Sequence, residues 1–282
     1  MDVKLGYNYV VEYKLPSEKK FKLAGYHEEF DLSLKDDYSV KPYLPDASTN
    51  DAFSLKLTKK KGEENTFNTK AMPVDLTPLK DFYITSDKYL QKYCIGIIDK
   101  HANKYTYTSS AVIKSLSLEI PENDVCNISL DFNCEKFDKF QDSTDYVDGT
   151  EITDHAVLPT SEPLSTVDLS NVKWGTISLK PTKLTLKIDY DILSKWDEEE
   201  HVMRYFIKGR KITIDMDLAE ISDAFTSAII NGDEYDFTFT VGGQQITVKN
   251  VKFPEMKLSV KPEDIITTSF TSLEASEIVF GF

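Results

Sequence analysis

The sequence predicts a mainly β protein: two tandem antiparallel units of barrel or sandwich type, each with one flanking α-helix. Three observations carry that prediction. First, apolar residues alternate with polar ones at strand spacing in Leu116, Leu118, Ile120, in Leu184, Leu186, Ile188, Tyr190, and in Ile212, Ile214, Met216, Leu218. Second, the run Leu116-Ser-Leu-Glu-Ile-Pro-Glu-Asn-Asp-Val through Leu130 returns as Met256-Lys-Leu-Ser-Val-Lys-Pro-Glu-Asp-Ile through Phe270. From Val125 and Ile265 onward the two align without gaps at an offset of 140 residues. Third, Leu32-Ser-Leu-Lys-Asp-Asp-Tyr38 precedes the first run as Leu184-Thr-Leu-Lys-Ile-Asp-Tyr190 precedes the second. Matched pairs in the same order predict a duplication. Its parts are a first unit over 1–140, a linker or extended arm over 141–170, and a second unit over 171–282.

Taken in order, Val3 to Lys14 reads as a first strand closed by Pro16, and Leu32 to Val40 as the next. Phe53, Leu55 and Leu57 alternate with polar residues, and 59–64 reads as a charged turn. Thr77 before Pro78 predicts a helix start, with Leu79, Phe82, Tyr83 and Leu90 at helical spacing through about Gln91. Tyr93–Ile98 and Tyr105–Ser109 are predicted strands. The apolar pattern thins from Lys139 to Asn171. Trp174 to Leu179 opens the second unit, and Asp191 to Lys208 reads as a long loop or extended hairpin. Asp217 and Glu220 have capping-box spacing ahead of a helix whose stripe is Leu218, Ile221, Phe225 and Ile229, ended by Asn231-Gly232. Phe237–Val241 then turns at Gly242-Gly243 into Ile246 and Val248, a hairpin.

Composition narrows the function classes. The chain has 282 residues and a net charge of −14, which disfavours a sequence-independent grip on DNA phosphates. Its N-terminus lacks a signal-peptide pattern, and no apolar run is long enough for a membrane helix. The chain is expected to be made and folded in a cytoplasm.

No chemistry is predicted. Cys126 and Cys134 share strand parity with Ile128, Leu130 and Phe132, so they read as core thiols, as does Cys94. His27, His101, His155 and His201 stand apart, without zinc-ligand spacing. The run Asp197-Glu-Glu-Glu200 with His201 lacks the glycine and alternating ligands of a calcium loop. Asp215, Asp217 and Glu220 resemble a carboxylate cluster, but Asp217 and Glu220 are accounted for by the helix cap. Neither a phosphate loop nor a Ser-His-Asp set stands out, so the expectation is no enzyme, no metal and no cofactor.

The stretch Ala111-Val-Ile-Lys-Ser-Leu-Ser-Leu-Glu-Ile-Pro-Glu-Asn-Asp-Val-Cys-Asn-Ile-Ser-Leu-Asp-Phe132 resembles the major tail tube proteins of tailed viruses of bacteria and archaea. So does Arg210-Lys-Ile-Thr-Ile-Asp-Met-Asp-Leu218 with its following helix, hairpin and closing Pro262–Phe270. The resemblance runs from about Leu32 onward and is strongest after Trp174. It implies subunits that form rings stacked into a hollow tube, the viral tail tube of the virion, through which DNA passes without sequence-specific binding. It implies partners too: other copies of the chain, a tape-measure protein inside, and tail terminator and distal tail proteins at the ends. A duplicated chain would fill a six-place ring with three copies; a hexamer is the other form. Long arms become candidates for contacts between rings, with Trp196, Asp197, Glu198, Glu199, Glu200 and Tyr205 as candidate interface residues. Deleting Asp197 to Tyr205 is expected to spare the fold. Alternating strands alone equally suit a two-domain β-sandwich binding or adhesion module.

Overall fold

The computed structural model describes residues 9–33, 38–42, 55–59, 65–85, 90–99, 104–134, 146–147, 150–151, 156–157, 159–197, 202–254, 257–259, 267–273 and 275–282. The first stretch holds β1 (Tyr9–Lys14), β2 (Lys22–Leu23), β3 (Tyr26–Ser33), β4 (Tyr38–Pro42), β5 (Leu55–Lys59), β6 (Asn65–Met72), α1 (Thr77–Asp81), β7 (Tyr93–Asp99), β8 (Lys104–Ile120) and β9 (Asn127–Cys134). Two short strands follow, β10 (Tyr146–Val147) and β11 (Thr150–Glu151). The second stretch holds β12 (Leu169–Trp174), β13 (Ile177–Ser178), β14 (Pro181–Asp197), β15 (Val202–Leu218), α2 (Asp223–Asn231), β16 (Tyr235–Val241), β17 (Gln244–Val251), β18 (Lys257–Ser259), β19 (Thr267–Thr271) and β20 (Glu277–Phe280). The chain is mainly β and antiparallel, with two helices among the described residues. No sheet there closes into a barrel.

Period-two patterning sets the faces. In β6, Phe67, Thr69 and Ala71 are buried while Thr66, Asn68 and Lys70 are not; in β9 the buried set is Ile128, Leu130, Phe132 and Cys134. Pairing produces one long run of strands, β3-β6-β9-β8-β14-β15-β19-β18. The joint between the stretches is β8 against β14, with Leu116 opposite Ile188, Leu118 opposite Leu186 and Ile120 opposite Leu184. All six side chains are at most 1% exposed. The N-terminal part of β8 branches off to pair with β7, which continues through β1 to β2. The second stretch has its own sheet, β13-β12-β16-β17-β20. Buried residues of both stretches form one contiguous cluster.

An aromatic side chain beside each helix bridges the strands. Phe82, just after α1, lies 4.7 Å from Tyr13 of β1, 4.8 Å from Tyr93 of β7 and 5.3 Å from Phe132 of β9, ring centre to ring centre. Phe225 of α2 lies 5.4 Å from Trp174 of β12 and 5.0 Å from Phe270 of β19. Trp174 is fully buried, and its indole N–H donates to the Val251 carbonyl at 2.9 Å, which satisfies its one polar group.

Several elements depart from the sequence reading. The first helix stops at Asp81 rather than near Gln91. Beyond Phe82 the backbone is engaged elsewhere: the Ile84 N–H donates to the Tyr190 hydroxyl at 2.9 Å, and Arg210 donates to the Ile84 and Thr85 carbonyls. The second helix is capped by Ser222, whose hydroxyl accepts the Phe225 N–H, and not by Asp217. Asp217 and Leu218 still pair with Lys183 and Pro181, so the strand holds them and the helix begins later. Gly232 ends α2 at φ 72°, as expected of a left-handed cap. The predicted strand over Leu32–Val40 is divided between β3 and β4, with 34–37 outside the described residues, as are the turn at 60–64 and much of the 141–170 arm. The described end of that arm is stitched down. Tyr26 donates to the Pro159 carbonyl, the Cys126 N–H to Leu164, the Leu164 N–H to Pro73, and the Gly242 N–H to Asp168.

Candidate assembly surface

The alternation that buries one face of the long strand run leaves the other lined by small polar and charged residues. One open groove on it is lined by Lys70, Ser115, Ser117, Ser129, Asp131 and Lys187, and a second by Lys183, Thr185, Asp215 and Asp217. Charges here are paired: Lys183 with Glu119 at 2.8 Å, Lys187 with Asp189 at 2.9 Å and Lys114 with Asp131 at 3.6 Å. The hydrogen bond from Lys183 to Glu119 raises the lysine's pKa against the partial burial that lowers it. The first of these pairs crosses the β8–β14 joint.

β14 and β15 are each 17 residues long. Past Asp189 and Lys211 they pair only with each other among the described residues, as far as Asp197 opposite Val202. The Asp191–Lys208 segment is therefore a hairpin arm. Trp196 lies opposite Met203 near its end, and Glu198, Glu199 and Glu200 fall outside the described residues. Tyr205 does not serve as an exposed anchor. It is 3% exposed and its carbonyl accepts the Leu90 N–H; the bulge between Gly209 and Ile207 reverses the parity set by Ile212, Ile214 and Met216, and so turns this residue inward. A deletion reaching Tyr205 would cut into packing, contrary to the expectation from sequence.

The titratable and metal-ligating residues singled out in the sequence are dispersed. Among the described residues no three His, Cys, Asp or Glu side chains group as a metal set. His27 lies in β3, whereas His101, His155 and His201 fall outside the described residues. Cys94, Cys126 and Cys134 are buried. Burial, helped by the charge of Asp168, pushes the Cys126 thiol up to about 12, which keeps it protonated and unreactive.

The sequence reading missed two features that hold the surface together. Arg210 stacks 4.9 Å from the Tyr83 ring centre and donates to the Ser276 carbonyl as well as to 84 and 85, tying distant segments to the base of the arm. A single arginine beside a lysine gives no sequence signal for this. The β8–β14 joint did leave one: Leu116/Leu118/Ile120 and Leu184/Leu186/Ile188 are apolar triplets of equal spacing. No protein-family model and no curated protein matches the chain.

Proposed function

We propose that this protein is a structural subunit that self-assembles into stacked rings forming a viral tail tube, through which DNA is delivered. The single observation that carries the reading is the β8–β14 joint. It sets the last strand of one four-strand set beside the first strand of a second set with the same order. Such a chain is a head-to-tail polymer of two units, and heterologous contacts of this kind form rings where the rotation from unit to unit closes. On this reading the two sets are a tandem duplication of one sheet-and-helix unit, and three chains fill six places. The polar face lines the channel, where pairing of Lys114, Lys183 and Lys187 with carboxylates weakens any hold on phosphates. The hairpin arm, with Trp196 and Asp197 near its described end, contacts the next ring. A tape-measure protein inside and terminator and distal tail proteins at the ends are the partners, and the role is structural rather than enzymatic. Negative-stain microscopy of the purified full-length protein tests this. Rings or tubes with a central hole support it; uniform monomers at high concentration overturn it and favour a two-domain binding module.

A further inference from the structure

The pairing registers allow the contact between copies to be written residue by residue. In β8–β9, Ser117 faces Ser129 and Leu118 faces Ile128; in β18–β19, Lys257 faces Ser269 and Leu258 faces Thr268. The two hairpins match at the 140-residue offset seen in the sequence. Moving one strand inward, Leu130 faces Thr69 of β6, and Phe270 faces Met216 of β15. One strand further, Thr69 faces Phe30 of β3, and Met216 faces Leu184 of β14. A bulge then recurs at the same place: between His27 and Glu29 in β3, and between Pro181 and Lys183 in β14. Bulges insert one unpaired residue and fix register, so their coincidence is an independent check. It also corrects the sequence alignment by two residues: Phe30, not Leu32, occupies the place of Leu184. Two residues preserve the facing of every side chain, which is why the hydrophobic pattern did not expose the slip.

β14 is held on its far side by β8. Its counterpart β3 pairs only with β6 among the described residues, and β18, the counterpart of β8, only with β19. Each stretch thus ends on the kind of edge that the internal joint covers, and an uncovered edge is a template for another chain. We infer that β18 of one copy pairs antiparallel with β3 of a second copy in the register of the β8–β14 joint. That register places Lys257 opposite Ser33, Leu258 opposite Leu32 and Ser259 opposite Asp31. Its source is the set Ser117 opposite Lys187, Leu118 opposite Leu186 and Glu119 opposite Thr185 within one chain.

The inference rests on the ring reading but goes beyond it, because rings could also form through other surfaces. Directly opposed residues in an antiparallel pair lie within disulfide reach, whereas diagonal ones lie about 7–8 Å apart. The test is the full-length Asp31→Cys/Ser259→Cys variant, oxidised mildly and run on a non-reducing gel beside the diagonal Asp31→Cys/Lys257→Cys variant. Circular dichroism verifies that both fold. The expected result is intermolecular cross-linking of the first at least roughly tenfold above the second. Hydrogen exchange of the unmodified protein provides a second measurement. Those amides of 31–33 and 257–259 that face away from β6 and β19 are expected to exchange at least roughly tenfold more slowly in assembled particles than in free chains. Rings that form without this cross-link and protection overturn the register while leaving the tube reading in place. Cross-linked open chains that never stack support the register and sink the tube. Absence of both assembly and cross-linking overturns both.

Discussion

The first and second stretches of the chain reach the same strand order by different local means. In the first, β8 runs unbroken for 17 residues out of one group of strands into the other, with a bulge between Ile113 and Ser115. In the second, the same path is cut into β17 and β18, with Pro254 at the position offset by 140 residues from Lys114. Proline has no N–H to give a ladder, so it falls where the first stretch already departs from regular pairing. The helices differ in the same sense: α1 has five residues and no side-chain cap, α2 has nine and is capped at both ends. Yet Phe82 and Phe225 both sit between Tyr13 or Trp174 on one side and Phe132 or Phe270 on the other. Register persists where helix length and connections do not. The aromatic wedge persists with its contact on β19 two residues away from the one on β9, since Phe270 matches Leu130 and not Phe132. Pairing and core packing are what the two stretches share, and the rest is adjustable.

The wedge gives the strongest way to break the comparison. Phe82→Ala and Phe225→Ala, both at fully buried positions, are each expected to cost about 3–5 kcal/mol in urea unfolding. A loss confined to one of them would mean that the two aromatics do unlike jobs. At the joint, Leu118→Ala and Leu186→Ala should each cost about 2–5 kcal/mol. Being directly opposed, they should couple by about 0.5–3 kcal/mol in a double-mutant cycle. Additive losses would argue that the stretches merely touch.

Alkaline titration separates a buried thiol from an exposed one. The Cys126 pKa is raised by burial from 9.0 to about 12, so its contribution to stability is complete below pH 9 and fades as pH climbs toward 12. Unfolding midpoints measured across that window should fall less in Cys126→Ala than in the parent. Ser222→Ala should cost about 1 kcal/mol, while Thr77→Ala at the uncapped α1 should cost less, as thermal unfolding would register. Smallest is the Lys183–Glu119 pair across the joint. Both side chains are more than a third exposed, so a cycle should find about 0.2–1 kcal/mol, declining with salt.

Much of this was legible in the sequence, for reasons that can be named. Leu184, Leu186, Ile188 and Tyr190 bury on one face because strand parity leaves no choice, and Gly242-Gly243, at φ 55° and 80°, makes the hairpin turn that glycine permits. Cys126 and Cys134 went into the core as their parity required. What could not be read depends on partners distant in sequence. The helix predicted through Gln91 ends at Asp81 because Tyr190 and Arg210 take the backbone of Ile84 and Thr85. Tyr205 looked like a loop aromatic until β14 paired beside it. The two-residue slip between the matched segments was invisible because it keeps parity; the pairing registers exposed it and the recurring bulge agrees with them.

The most direct test of the proposed six-place ring is a native mass of single rings whose end-on images have been rotationally averaged. Three chains producing six equivalent lobes is the outcome the proposed duplication requires. Six chains per ring, or three lobes without an internal pseudo-repeat, would contradict it.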